Sequence, residues 1–183
     1  MKKFFPRLSV KDICVLGLLL SITVLLAIFG TFRIGNVVKI PTKFISVFVA
    51  ATVFGPIWGG ICGALGDILN ALIAPVGPFL PQITLLEFLS GFAYGVIFLK
   101  SGEYSLKDYA VRVVISVLAQ FFIDMVLTTA VLVFWTEYYS NFGFAFVFRL
   151  PAGLVKAALQ LCVLLPCRGL IERVRSVYGK QGI

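Results

Sequence analysis

Long apolar runs recur along almost the whole chain, and only short polar segments separate them. Hydrophobic residues make up 60% of the 183 residues and charged residues only 13%, whereas soluble domains have roughly 45–50% and about 25%. The mean hydropathy is +1.05. The composition therefore predicts an integral membrane protein, with no room for a separate soluble catalytic domain.

Six of the apolar runs predict transmembrane helices, so the expected fold is all-α: one compact six-span bundle over residues 1–183. The spans are expected at residues 13–29, 44–54, 55–75, 82–99, 109–135 and 146–165. Because a span needs ~20 residues, the second helix is expected to extend back through Ile40 or to lie tilted. Val37, Val38 and Ile40 also predict a short β-like segment.

Positive charge is distributed unevenly between the polar segments. The N-terminal segment, residues 100–112 and the C-terminal tail hold eleven Lys and Arg, and the segments on the other side of the six spans hold four. The positive-inside rule therefore predicts that both termini are cytoplasmic. The four cations left on the outer side are Arg33, Lys39, Lys43 and Arg149.

These outer cations oppose the usual charge bias, and Arg149, at the predicted start of a helix, also opposes the helix dipole. An anionic ligand bound on the outer side would offset both the unfavourable charge distribution and the unfavourable interaction with the helix dipole. In the alternative interpretation, Lys39 and Lys43 reach lipid headgroups and Arg149 pairs with Glu137.

Three acidic residues, Asp67, Glu87 and Asp124, fall inside predicted spans, where a charged carboxylate costs roughly 2.5–3.5 kcal/mol. They could recognise a polar heterocycle that offers N–H donors. They could instead be structural, through hydrogen bonds to neighbouring helices or a pair with Lys156, or form an ion pathway. The chain has no histidine, the commonest proton carrier near neutral pH.

The third run, GPIWGGICGALGDILNALIAP, combines glycines with a polar patch. Gly59 and Gly63 are four residues apart, a spacing that predicts a smooth helix face where another helix backbone approaches closely. Asp67 and Asn70 share one side of the same helix, one to two turns further along.

Aromatic side chains are abundant near the expected outer loops, with Phe79 and Trp135 among them. An aromatic belt at the membrane interface explains much of this enrichment. A flat aromatic ligand stacked between such rings is the alternative, since offset stacking adds about 0.5–1.5 kcal/mol per pair.

Several chemistries are not expected. The sequence contains no GxxxxGK[ST], so the chain by itself lacks a P-loop for ATP. The four cysteines have no CxxC spacing and there is no histidine, so neither a metal site, a resident cofactor nor an enzyme activity is predicted. Membrane topology explains the net charge of +8, so nucleic-acid binding is not inferred.

The third run, together with LLEFLSGFAYG in the fourth, resembles the substrate-binding S component of energy-coupling-factor (ECF) vitamin transporters over nearly the whole chain. FRIGNVVKI and FRLPAGLVKAAL are most similar to the folate branch. The resemblance implies a multi-pass protein of the bacterial plasma membrane that binds its vitamin from outside with high affinity. A membrane coupling subunit and two cytoplasmic ATPases would then drive release inside. Gly17 and Ser21 are the nearest match to the family's coupling-subunit contact, an alanine-x-x-x-alanine pattern.

Folate has a pterin ring, a linking aromatic ring and a glutamate tail with two carboxylates. The resemblance implies that the four outer cations neutralise the tail. The candidates for reading the pterin edge are Asp67, Asn70, Gln82 and Glu87, and the candidates for stacking on its face are Phe79, Tyr94 and Trp135.

Other functions stay open from the sequence. The ligand could be another vitamin of the same superfamily: riboflavin, thiamine, biotin, pantothenate or a queuosine precursor. The chain could also be a stand-alone secondary transporter or channel, or a membrane enzyme or assembly protein. The lack of a histidine or a recognisable catalytic set counts against the enzyme.

Overall fold

Apolar helices make up most of the computed structural model, which describes residues 9–34, 38–74, 79–99, 105–135 and 141–178, with only the backbone described at 31–34, 38–41 and 175–178. The helices are α1 Val10–Ile28, α2 Phe44–Phe54, α3 Pro56–Ile73, α4 Pro81–Ile97, α5 Leu106–Phe122, α6 Thr128–Phe134, α7 Phe142–Leu164 and α8 Arg168–Tyr178. A π-helical turn, Ile123–Leu127, joins α5 to α6 in one rod. Strands β1 Thr31–Ile34 and β2 Val38–Pro41 pair antiparallel between α1 and α2.

Four of these rods are long and apolar enough to cross a membrane: Val10–Ile28, Pro56–Ile73, Leu106–Phe134 and Phe142–Leu164. The apolar helix α2 has 11 residues and α4 has 17. Large apolar side chains such as Leu18, Leu118 and Val147 point away from the bundle and are more than half exposed. An apolar outer surface around an interior that contains charges is typical of proteins in a lipid bilayer. The predicted multi-pass helical membrane protein is therefore confirmed.

Helices α3 and α4 pack with their backbones in contact. A Cβ atom added at Gly91 would collide with the backbone of Gly59, and one added at Gly95 would collide with the backbone of Pro56. Further along, a Cβ at Gly63 would lie 2.6 Å from the carbonyl oxygen of Glu87. These contacts show that the two helices are antiparallel, and they confirm the close helix approach predicted from the glycine spacing.

One residue, Gly55, connects α2 to α3. Its φ angle is 92°, a left-handed conformation that side chains disfavour, and it lets the chain reverse between two helices. Gly55 marks one end of the bundle, called here the glycine end. The strand pair marks the other, called the hairpin end.

An aromatic core fills the glycine end. The ring of Phe48 packs edge-on against Tyr94 and Phe98, with centroids 5.3 and 5.1 Å away. Tyr109 extends this cluster and donates a hydrogen bond of 2.6 Å from its hydroxyl to the carbonyl oxygen of Leu164. Edge-to-face aromatic pairs contribute about 0.5–1.5 kcal/mol beyond their burial. The apolar packing is thus concentrated at the end away from the hairpin.

Two predicted boundaries differ from the structure. Helix α2 begins at Phe44 and does not extend back through Ile40, because residues 38–41 pair as a strand; the predicted β-like segment is confirmed for Val38 and Ile40. Val37 lies outside the described residues.

The sixth predicted span was placed too late, and no helix was predicted in the basic tail that follows it. Helix α7 begins at Phe142 rather than at residue 146, so Arg149 lies two turns inside the helix and does not oppose the dipole at its first turn. The segment before residue 146 is aromatic and polar, a composition typical of a loop, but its backbone is helical from residue 142. The basic tail continues as α8 up to Tyr178.

Gly91→Ala is expected to lower the midpoint of thermal unfolding in detergent, because its Cβ would collide with the backbone of Gly59 and overpacking costs about 1–3 kcal/mol. Gly17→Ala is the matched control, since a Cβ there meets nothing within 4 Å and alanine favours a helix over glycine by about 1 kcal/mol. The control should keep or raise the midpoint. Equal midpoints for Gly91→Ala and the wild type would contradict the backbone contact.

A candidate ligand site inside the bundle

Lys43, directly before α2, joins three elements through its ammonium group. Its Nζ lies 2.8 Å from Oε1 of Glu87 on α4 and 3.9 Å from Oδ1 of Asp67 on α3. Asp67 also accepts a 2.8 Å hydrogen bond from the hydroxyl of Thr84. All three charged side chains are mostly buried, with exposed fractions of 15% for Lys43, 17% for Asp67 and 26% for Glu87. Two carboxylates thus share one ammonium, an arrangement called here the Lys43 cluster.

The glycine contact positions this cluster. The backbone of Glu87 lies against Gly63 of α3, one turn before Asp67, so the close approach of α3 and α4 brings both carboxylates within reach of Lys43. A side chain at Gly63 would push α4 away and lengthen the distance from Glu87 to Lys43. The smooth glycine face and the polar patch predicted for the third run therefore belong to one packing arrangement.

A second charged pair lies deeper in the bundle. Lys156 of α7 donates a hydrogen bond from its ammonium to Oδ2 of Asp124, which belongs to the π-helical turn. The two side chains keep 21% and 24% of their surface exposed. Gly153, one turn before Lys156, has no side chain and accommodates Met125: a Cβ there would lie 2.8 Å from the sulfur. Pairing with Lys156, one of the alternatives for Asp124, is what the structure shows.

The Asp124–Lys156 pair lies near the aromatic core. Gln160 lines the same narrow crevice as Asp124 and Lys156. Tyr94 is 1% exposed; its ring belongs to the aromatic core, and its hydroxyl oxygen accepts a 3.3 Å hydrogen bond from the amide of Gln160. The polar interior therefore ends at the aromatic core.

The other predicted cations lie towards the hairpin end. Arg149 donates a 2.7 Å hydrogen bond to the hydroxyl of Thr129 on α6. The backbones of Arg33 and Lys39 stand opposite each other in the hairpin, their side chains being outside the described part. Strand β2 contacts α7, so the hairpin lies beside the helix that carries Arg149. Glu137, the suggested partner of Arg149, is also outside the described residues.

The remaining predicted ligand contacts fall into two groups. Phe79 and Trp135 lie at the hairpin end and are 52% and 66% exposed. Asn70 on α3 and Gln82 on α4 are half-buried. The side-chain oxygen of Gln82 is buried and has no hydrogen-bond partner among the described residues. A buried acceptor without a donor costs about 1–3 kcal/mol, so this oxygen is a position where a ligand N–H would be stabilised.

The predicted partner contact lies on the outside of the bundle. Gly17 and Ser21 are exposed on α1, and the Ser21 hydroxyl donates a 3.0 Å hydrogen bond to the carbonyl oxygen of Gly17 in the same helix. A Cβ at Gly17 would meet nothing within 4 Å. This small-residue face is therefore not used for packing against the described part of the chain.

Lys156 and Gln160 were not among the predicted ligand contacts, although the structure places both beside Asp124. The only sequence signal for them was a lysine and a glutamine inside an apolar run. No group of three or more Cys, Asp or Glu residues suited to holding a metal ion is found in the described ranges.

A bundle of apolar helices around a charged interior defines a small helical membrane protein with an internal polar site. Residues 11–167 match the family described as ECF transporter, substrate-specific component. The match covers most of the chain, and the chain belongs to this family of S components. Its predicted identification as a family member is confirmed.

Two curated relatives are folate transporters named FolT. The chain is 36% identical to that of Clostridium novyi (strain NT) over 81 residues, 44% of each protein. It is 25% identical to that of Leuconostoc mesenteroides over 103 residues, 55% of this chain and 54% of the relative. The chain thus spans about half the length of the curated relatives it matches. A crystal structure of FolT bound with folic acid has a similar fold, with a TM-score of 0.68 at 22% identity. The structural alignment covers 95% of this chain and 98% of the FolT chain.

Lys43→Met is expected to destabilise the fold, because two mostly buried carboxylates would lose their shared cation and breaking a buried pair costs about 3–5 kcal/mol. Adding Glu87→Gln to the Lys43→Met variant should restore part of the lost stability, because it removes one uncompensated charge. Thermal unfolding of the wild type, both single variants and the double variant measures the coupling, with Lys107→Met on the exposed start of α5 as control. Strictly additive effects of the two substitutions would contradict the proposed charge coupling.

Proposed function

We propose that this chain is the folate-binding S component of an ECF-type, ATP-driven vitamin uptake transporter. Membership of the S-component family, two relatives named as folate transporters and the fold shared with FolT bound with folic acid support the proposal. The observation that carries it is the polar interior of the bundle, which contains the Lys43 cluster, the Asp124–Lys156 pair and Arg149 bonded to Thr129. Such an interior suits a ligand that is planar, rich in hydrogen-bonding groups and anionic at one end.

The proposed topology has six spans in the bacterial plasma membrane, with both termini in the cytoplasm and the hairpin end outside. The excess of Lys and Arg in the N-terminal segment, in residues 100–112 and in the tail supports this orientation. Helices α2 and α4 are the two short spans. A bilayer can thin locally around a short span, so its length does not exclude it.

Folate recognition would use charges of both signs. Arg149, together with Arg33, Lys39 and Lys43, would stabilise the two carboxylates of the glutamate tail, since arginine can bind a carboxylate through two parallel hydrogen bonds. Polar groups of α3 and α4, Asp67, Asn70, Gln82 and Glu87, would contact the heterocycle. The unpartnered oxygen of Gln82 supports a ligand donor near it. Phe79 and Trp135 would cover the ligand at the hairpin end, and Tyr94 would contact it near the aromatic core.

Energy would come from partner proteins. A membrane coupling subunit and two cytoplasmic ATPases would use ATP, and this chain would act as neither an enzyme nor a cofactor-binding protein. The exposed small-residue face at Gly17 and Ser21 supports α1 as the contact for the coupling subunit, because small residues let helix backbones approach closely in membranes.

The purified chain in detergent should bind folate without ATP or partners. Quenching of Trp58 and Trp135 fluorescence measures this binding, with riboflavin, thiamine, biotin and pantothenate titrated in parallel. Saturable binding of folate alone is the expected result. Tight binding of another vitamin would keep the family and overturn the folate assignment, whereas binding of none would overturn the proposal.

Arg149→Ala is expected to weaken folate binding roughly tenfold or more, since a hydrogen bond to a charged group contributes about 1.5–3 kcal/mol. Arg173→Ala is the matched control, because Arg173 is exposed on α8, beyond the glycine end. Both variants are titrated with folate after their unfolding midpoints have been compared with the wild type. Unchanged folate affinity in a folded Arg149→Ala variant would remove Arg149 from the site.

A further inference from the structure

We infer that α8 binds the anionic phospholipid surface of the cytoplasmic leaflet and holds the glycine end of the bundle at the depth of the headgroups. This inference rests on the orientation given in the proposed function, with the glycine end in the cytoplasm. It goes beyond that function because folate recognition does not involve α8. In the sequence, the basic tail contributed only to the charge bias that sets the topology.

Helix α8 is not a continuation of α7. A turn at residues 165–167 separates the two helices, and Pro166 in this turn has no N–H group to continue the helical hydrogen bonds. If α7 continued straight, Ile171 would lie about 10 Å beyond Leu164 along the helix axis. Ile171 is instead 1% exposed and belongs to the same aromatic core as Leu164, and α8 also contacts α2. Helix α8 therefore lies across the glycine end.

The bundle covers only part of the apolar side of α8. At about 100° per residue, Leu170, Val174 and Ile171 share one side of the helix, in that order around it. Ile171 is buried in the core, Val174 is half-buried, and Leu170 at the far edge is 54% exposed. Leu165, directly after α7, is 43% exposed. The uncovered apolar edge of α8 thus adjoins the lipid-facing end of α7, so lipid is the apolar phase that covers it.

The rest of the circumference of α8 is polar and mainly basic. Arg168, Glu172 and Arg173 lie there, and Arg168 donates a 2.7 Å hydrogen bond from Nε to Oε1 of Glu172. With Arg175 and Lys180, the sequence from residue 168 onwards holds four cationic side chains and this one acidic side chain. Arginine and lysine beside an apolar edge place their alkyl stems along lipid and their charged groups in the headgroup layer. An anionic headgroup is the complement of this surface.

Other helices mark the same level of the membrane. Lys11 at the start of α1 and Lys107 at the start of α5 are exposed. The apolar residues next to them, Val10 and Leu106, are 77% and 70% exposed. Basic and apolar side chains thus stand side by side at the glycine end, as expected where a bundle passes from hydrocarbon into headgroups.

Charge and burial favour lipid over a partner protein as the occupant of this surface. Because the bundle already covers Ile171 and part of Val174, the exposed surface of α8 is mostly charged and has little apolar area for the core of a protein interface. A short helix with a basic side and a narrow apolar edge binds in the plane of a membrane. Anionic lipid strengthens such binding about fivefold for each basic residue at the surface.

Hydrogen–deuterium exchange of the purified chain in lipid nanodiscs tests this inference. Discs of phosphatidylcholine are compared with discs that also contain phosphatidylglycerol, which is anionic. The backbone amides of α8 should exchange at least about fivefold more slowly when phosphatidylglycerol is present, while those of α3 should be unchanged. High salt should remove most of this difference, because it screens charges at an exposed surface. Equal exchange of α8 in both kinds of disc would overturn the inference.

A pair of double variants separates α8 from a general effect of positive charge. Arg173→Gln combined with Arg175→Gln should abolish most of the effect of phosphatidylglycerol on α8, and Arg173 is exposed, so the unfolding midpoint should be kept. Lys11→Gln combined with Lys107→Gln is the matched control, because it removes the same charge from other helices at the same end. The control should retain the effect, and an equal loss in both double variants would overturn the inference.

Folate binding measured in the same discs distinguishes this inference from the proposed function. Folate binding without any effect of phosphatidylglycerol on α8 would overturn the inference alone. An effect of phosphatidylglycerol that α8 loses only in the Arg173→Gln, Arg175→Gln variant, in a chain that binds no folate, would support the inference and overturn the proposed function.

Discussion

Backbone contact between α3 and α4 is the constraint on which the rest of the structure depends. Lipid supplies no hydrophobic force between helices, so their association relies on close packing and polar contacts. Glycines at 59, 63, 91 and 95 allow the two backbones to touch. This contact fixes the separation of Asp67 and Glu87, and with it the distance over which a single lysine neutralises both. Packing and charge placement are thus one property of the bundle.

The interior of the bundle has an aromatic half and a charged half. The glycine end is filled by an aromatic core, with Phe48, Tyr94 and Phe98 packed edge to face. The other half contains the Lys43 cluster and the Asp124–Lys156 pair, in which the carboxylates are paired with ammonium groups. A charge inside a bilayer is costly, and here Asp67, Glu87 and Asp124 are each compensated by a lysine on a different element. The same compensation leaves unused acceptors and donors, which is what a polar ligand requires.

Much of the fold was predictable from local patterns, and the arrangement of the site was not. Apolar runs and glycine spacing act within one helix, so they predicted the apolar helices and the close approach at Gly59 and Gly63. The partner of Lys43 and the π-helical turn at Asp124 depend on contacts between distant helices, which no local pattern contains. Arg149 was placed too near a helix start because residues 137–144, which are aromatic and polar, have the composition of a loop, and α7 begins within them at residue 142. The roles of the predicted ligand contacts stay predictions.

The central claim is that the charged interior of this S component is its folate site. A structure of the purified chain with bound folate tests it most directly. The account predicts one folate inside the bundle, in contact with the charged interior side chains and with its tail at the hairpin end near Arg149. Folate located on the lipid-facing surface or beside α8, with the interior pairs unchanged and empty, would contradict it.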